Sequence, residues 1–249
     1  MIYGLYLNAA GALAESSRHD VISNNMANVS TPGFRASLAV FQERGAESVE
    51  SPLPAFATPL DAIGGAMSIS GTYTKHVQGP INVTGSKFDL AIVGDGYFPV
   101  TDGRQVLYTR AGAFTHDSQG RLVMPDGRHY LSDGAGRPIV IPSGVEVSIA
   151  ADGTVSVAGE AAERINIVGF EREDLLARQG ANLYDASGAR ARDATGQIRQ
   201  GALEASGVSP VEEMAAMLMA ARGYEANMQM ITMQDQTLAS LMTVGRVNI

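Results

Sequence analysis

NNMANVSTPGFR, residues 24–35, places three amides at the end of a helix-like run and then stops it. Asn24, Asn25 and Asn28 close the run, and Thr31-Pro32-Gly33 breaks it. The residue before a proline is pushed out of the α region, and Pro-Gly suits the two central positions of a type II turn. An asparagine amide both donates and accepts, so it can satisfy backbone groups freed where a helix ends among other protein. No catalytic group stands nearby. The stretch reads as a junction.

Upstream, residues 2–28 carry no proline, and apolar or small residues recur at Ile2, Leu5, Ala9, Ala12 or Leu13, and Val21 or Ile22, a helical period. Downstream of Phe34 the pattern weakens to about Gly65, and SPLPAFATP (51–59) reads as an extended connector. From about Met67 to Leu203 the character is β. DLAIVGDGYFPV (89–100) gives two apolar runs around Gly94-Asp95-Gly96, a hairpin signal. Further turn signals follow at DSQG (117–120), PDG (125–127), DGAG (133–136) and ADG (151–153). A brief helix is expected at REDLLARQ (172–179).

The last element has the strongest local signal. Ser209-Pro210-Val211-Glu212 is a capping box with proline at the first helical position, so a helix should begin there and run to about Val244. Its apolar residues fit heptads, with Met214, Ala221, Met228 and Met242 at one position and Met217, Tyr224, Ile231 and Leu238 at the other; Asp235 is the exception. Both terminal helices are poor in charge, whereas a lone surface helix has a wide charged face. They could cover one another as a methionine-filled hairpin, but the low charge on both favours packing against other subunits. The expected fold class is α+β: long N- and C-terminal helices forming a coiled-coil-like helical domain, with a central antiparallel β domain. The expected division is 1–32 with 207–249, a connector 33–66, and a β domain 67–206.

Composition narrows the function. The chain has 249 residues, a net charge of −8, no cysteine and no tryptophan. Without cysteine there is neither a disulfide nor a thiolate metal site. Without a basic cluster nucleic acid is not the expected partner. No run of about 18 apolar residues exists to span a membrane. Ala12-Leu13-Ala14 mimics a signal cleavage site, but no Lys or Arg precedes Arg18, so the N-terminus is expected to be kept. The four histidines show no metal-ligand spacing, and there is no nucleophile elbow, P-loop or dinucleotide fingerprint. Neither a catalytic residue, a metal site nor a cofactor is expected. An enzyme that cleaves cell wall, the rival class, would need two facing carboxylates, and no persuasive pair is present.

NNMANVSTPGFR, with Ala27-Asn28 and Thr31 to Arg35, resembles the N-terminal signature of the bacterial flagellar rod and hook proteins. EEMAAMLMAARGYEANMQMI (212–231) resembles their C-terminal signature at Arg222 and Tyr224-Glu225-Ala226-Asn227, and DLAIVGDGYFPV, YTRAGAF (108–114) and GALEASGV (201–208) resemble the middle. Gly207 stands where that family usually has asparagine. The resemblance implies a non-enzymatic structural subunit of the basal body in the periplasmic rod. It would be exported through the flagellum's own channel and polymerise into the axial shaft. The implied partners are copies of itself, other rod subunits, surrounding ring proteins and the export apparatus. The short connector favours a proximal over a distal rod subunit, and the chain is too short for a typical hook protein. The assembly interface is expected at Asn24, Asn25, Asn28, Thr31, Pro32, Gly33 and Phe34, and at Met214, Met217, Ala221, Tyr224, Glu225, Asn227, Met228, Ile231, Leu238 and Met242.

Overall fold

Two long helices stand at the ends of the chain, α1 at Ile2–Ala27 and α2 at Pro210–Arg246, with antiparallel β structure between them. The computed structural model describes residues 2–44, 66–133, 136–142, 144–180 and 182–246. The SPLPAFATP stretch and the centre of DGAG lie outside these. No described helix is long and apolar enough to cross a membrane.

The chain divides into two compact units. The first comprises Met1–Met26, Ser37–Tyr73 and Ser209–Ile249, and the second Ala27–Ala36 and Thr74–Val208. In the helical unit, α1 has no proline to interrupt it and ends at the Asn28–Thr31 turn, where the Thr31 N–H bonds the Asn28 carbonyl at 3.1 Å. The same unit contains a two-stranded ribbon, Ser37–Arg44 with Ala66–Thr74. In sequence the first of these strands reads as featureless because apolar residues fall on both of its faces. Leu38 and Val40 are exposed, whereas Ala39 and Phe41 are half-buried, so no polar–apolar alternation marks it.

The β unit is built around a seven-stranded antiparallel sheet in the spatial order Ala177–Gln179, Leu183–Asp185, Val106–Thr109, Phe98–Thr101, Tyr130–Leu131, Leu122–Val123, Thr115–His116. Val147–Ile149, Thr154–Val157 and Glu160–Arg164 form a three-stranded sheet. Leu90–Val93 pairs with Gln197–Gln200, and Ile81–Val83 with Ala202–Glu204. Leu90, Ile92, Phe98, Val100, Leu122, Leu131 and Ile139 are fully buried at the centre. A second cluster gathers Tyr97, Phe170, Leu176 and Tyr184.

Two local expectations fail here. Gly94-Asp95-Gly96 turns the chain, with φ of 95° and 127° at its glycines, but does not make a hairpin. Leu90–Val93 and Phe98–Thr101 join different partners, because the link spends its hydrogen bonds elsewhere. Tyr97 exchanges both backbone bonds with Val168, and the Gly196 N–H binds the Asp95 carbonyl at 3.0 Å. The true hairpin is the next one, where Asp102 Oδ1 accepts the N–H groups of Arg104 and Gln105 at 2.8 and 3.0 Å. REDLLARQ keeps only one 3-10 turn, Glu173–Leu175; Leu176 is extended, and Ala177–Gln179 is recruited as a strand by Leu183–Asp185. Helix propensity loses to strand pairing there. The Asp117, Asp126 and Asp152 turns form as read, each carboxylate accepting backbone N–H groups two to four residues on.

Gly112 lies where a Cβ would sit 1.6 Å from the Leu90 carbonyl oxygen. Gly112→Ala should therefore force apart two core segments and destabilise the β unit by about 4 kcal/mol or more. Urea unfolding followed by tyrosine fluorescence measures this.

Candidate assembly site

The segment after α1 is an integral part of the β unit. Pro32 presets the turn, Gly33 adopts φ 68°, and the Phe34 N–H bonds the Thr31 carbonyl at 3.2 Å. Only glycine fits, since a Cβ would lie 2.4 Å from the Arg110 carbonyl carbon. Phe34 is 1% exposed and packs with Ala36 and Val208, and the Arg178 guanidinium lies 4.4 Å over its ring. The Gly33 N–H donates to the Glu204 carbonyl at 2.8 Å, and the Gly207 N–H to the Phe34 carbonyl at 2.9 Å. A side chain at 207 would crowd the Val77 carbonyl at 3.3 Å.

Beneath that turn, charge is buried. Arg35 and Glu204 meet at 2.7 Å, with side chains 2% and 0% exposed. Arg110 reaches the other Glu204 oxygen at 3.4 Å, and the Gly79 N–H donates to Glu204 Oε1 at 3.0 Å. Arg35 also donates to the Val77 carbonyl, and its own carbonyl accepts from Arg178 at 2.6 Å. Asn182 Nδ2 donates to the Pro32 carbonyl at 3.1 Å.

His76 stands beside this network, its Nδ1 2.9 Å from the Tyr97 hydroxyl and 3.8 Å from the Glu173 carboxylate. Burial, then the positive charges of Arg35, Arg178 and Arg110, lower its pKa from 6.5 to about 4. Burial raises the Tyr97 hydroxyl and the Glu173 carboxyl. The imidazole is thus neutral at ordinary pH, and the group acts as packing with fixed dipoles.

In the helical unit, Asn25 is 1% exposed and clamps one backbone position. Its Nδ2 donates to the Ser37 carbonyl at 2.9 Å and its Oδ1 accepts the Ser37 N–H at 2.8 Å, while Nδ2 also reaches Glu213 Oε1 at 3.2 Å. Burial raises the Glu213 carboxyl. Asn24 is exposed on α1, and Asn28 accepts from the Thr31 hydroxyl at 3.2 Å within the β unit.

The structure distributes the expected interface residues rather than gathering them. Thr31 and Pro32 are half-buried, and Gly33 and Phe34 buried, in the β unit. On α2, Met217, Ala221, Asn227, Ile231 and Leu238 are half-buried, whereas Met214, Tyr224, Glu225, Met228 and Met242 are exposed. Among the described residues no three His, Asp or Glu side chains gather as a metal site. Each member of the Arg35–Glu204–Arg110 network lies in a stretch quoted for the resemblance, NNMANVSTPGFR, YTRAGAF and GALEASGV, but nothing in their spacing says that the three meet.

Charge spent inside a junction, with long apolar helices at both ends, defines a structural building block. Three family models match this chain: Flagella basal body rod protein over residues 5–35, Flagellar hook protein FlgE/F/G D1 domain over 91–157, and Flagellar basal body rod FlgEFG protein C-terminal over 199–244. The chain is 35% identical to the flagellar basal-body rod protein FlgG of Bacillus subtilis across 269 aligned positions, covering 99% of this chain and 100% of that protein. It is 31% identical to FlgF of Caulobacter vibrioides across 253 positions, covering 98% of each. To the hook protein FlgE of Borreliella burgdorferi it is 35% identical over half of this chain and 29% of that protein. The chain belongs to the flagellar basal-body rod family.

Removing Glu204 strands both Arg35 and Arg110, whereas removing Arg35 leaves the carboxylate with Arg110 at 3.4 Å and the Gly79 N–H. Arg35→Met or Glu204→Leu should each lower stability by about 3–5 kcal/mol, and the double variant Arg35→Met/Glu204→Leu should lose clearly less than the sum, read from urea midpoints. A second test uses pH. Between pH 6.5 and 4 the unfolded His76 binds a proton that the folded one does not, so its contribution to stability falls as pH drops through that window. Glu173 acts with the opposite sign. His76→Gln should flatten the fall in urea midpoint over that window.

Proposed function

We propose that this chain is a structural subunit of the flagellar basal-body rod and polymerises through its terminal helices into the axial shaft that motility requires. The observation that carries the reading is α2. Ten of its large apolar side chains are exposed, among them Met214 at 59%, Met219 at 66% and Met242 at 72%. So much apolar surface on one helix marks a contact surface, and unbranched methionine adapts to slightly different neighbours. In a shaft, copies of this chain and other rod subunits cover that face in a coiled-coil-like core. Ring proteins surround the shaft, and the flagellar export apparatus delivers the subunit across to the periplasmic side.

The reading is non-enzymatic, in keeping with a family of structural components. Within it, the proximal, FlgF-type subunit is preferred. Alignment to FlgF runs to 253 positions against a chain of 249, whereas that to the Bacillus FlgG runs to 269, so the chain has the shorter build. The higher identity to FlgG, 35% against 31%, favours the distal alternative. Imaging a tagged chain in isolated basal bodies tests both levels. A tag on the lower or upper rod separates the two types, and a tag off the axis overturns the reading.

Met219→Asp and Met242→Asp, both on the exposed side of α2, should each abolish swarming and rod completion while leaving the β-unit urea transition unchanged, since an uncompensated charge in a packed seam costs several kcal/mol. Normal motility in both variants would show that this face is not packed in the rod.

A further inference from the structure

We infer that α1 and α2 are locked in a single antiparallel register by polar side chains seated against helical glycines. A Cβ on Gly4 would lie 2.8 Å from Gln234 Nε2, one on Gly11 would lie 2.9 Å from Asn227 Oδ1, and one on Gly223 would lie 3.0 Å from the Glu15 carboxyl carbon. Seven residues along α1 from Gly4 to Gly11 match seven back along α2 from Gln234 to Asn227. Four more, to Glu15, match four back to Gly223. Ten further, to Asn25, match ten back to Glu213, and those two side chains share a 3.2 Å hydrogen bond. Four contacts of different chemistry thus obey one register over six turns of helix.

Glycine weakens a helix interior relative to alanine, so three such positions, each opposite a polar side chain, need a reason. The missing Cβ is the seat. One oxygen of Gln234 and one of Glu15 are sealed without a hydrogen-bond partner, so the seam favours uniqueness over strength, as a lone polar residue does in a coiled coil. Other registers lose these contacts together. A slip of one heptad in one direction sets Glu15 against Met230 and Asn25 against Ala220. In the other it sets Glu15 against Ala216 and carries Asn25 past the start of α2. The apolar residues alone would not resist such a slip, because small and methionine side chains tolerate many neighbours.

The chain has no cysteine, so introduced pairs report without background. Leu7→Cys/Ile231→Cys lies on the proposed register, and Leu7→Cys/Leu238→Cys one heptad away. In the purified full-length chain, oxidation should close the first pair within one molecule at least tenfold more than the second. Adding Gly11→Leu should erase that preference. Exchanging the two seats, Gly11→Asn with Asn227→Gly, should keep it. Equal cross-linking of both pairs would overturn the inference, as would an undiminished preference in Gly11→Leu or a lost one in the exchange variant. The result does not depend on the chain's place in the rod. A preserved preference in a chain absent from basal bodies would count against the proposed function and not against the lock.

Discussion

The carboxylate of Glu204 has no contact with water and is held by Arg35, Arg110 and the Gly79 N–H. A buried ion of this kind is expensive to desolvate, and the same core could be filled more cheaply with apolar side chains. What the pair adds is definition. Arg35 is the last residue of the N-terminal family match and Glu204 lies in the C-terminal one. The ends of the β unit therefore meet through a contact of defined geometry and sign. Gly33 at positive φ and the Arg178 stack on Phe34 follow from placing Arg35 there, since the turn must pass against the Arg110 backbone to deliver the guanidinium inward.

Features governed by local chemistry could be read from the sequence. The break at Pro32-Gly33, the start of α2 after Ser209 and the turns at Asp117, Asp126 and Asp152 each depend on a few adjacent residues, and each stands where the spacing puts it. The chemistry of the asparagines was legible in kind, since the Asn25 amide both donates to and accepts from backbone, here that of a strand residue rather than of the helix end. Its partner, Ser37, was not, because nothing local names it.

The misreadings share one cause. Gly94-Asp95-Gly96 looks like a hairpin until Val168 and Gly196 claim its backbone, and REDLLARQ looks helical until Leu183–Asp185 claims its second half. In both, a partner distant in sequence outbids the local preference. The seam of α2 was hidden differently. A search for apolar heptads passes over Glu213, Gly223, Asn227 and Gln234, the residues whose side chains or missing Cβ face α1, because they are polar or have no side chain at all.

Three of the four places where the chain passes out of the β unit or back into it lie against one another. The Lys75 N–H bonds the Ala36 carbonyl at 2.8 Å, and the Gly207 N–H bonds the Phe34 carbonyl at 2.9 Å. Three of the four crossings thus share one doorway, closed by backbone bonds within the β unit. Evolution can lengthen a far hairpin, or nest another fold in one, without moving the doorway. The bulk of the β unit can then change in size while the spacing of the segments that meet at the doorway is held.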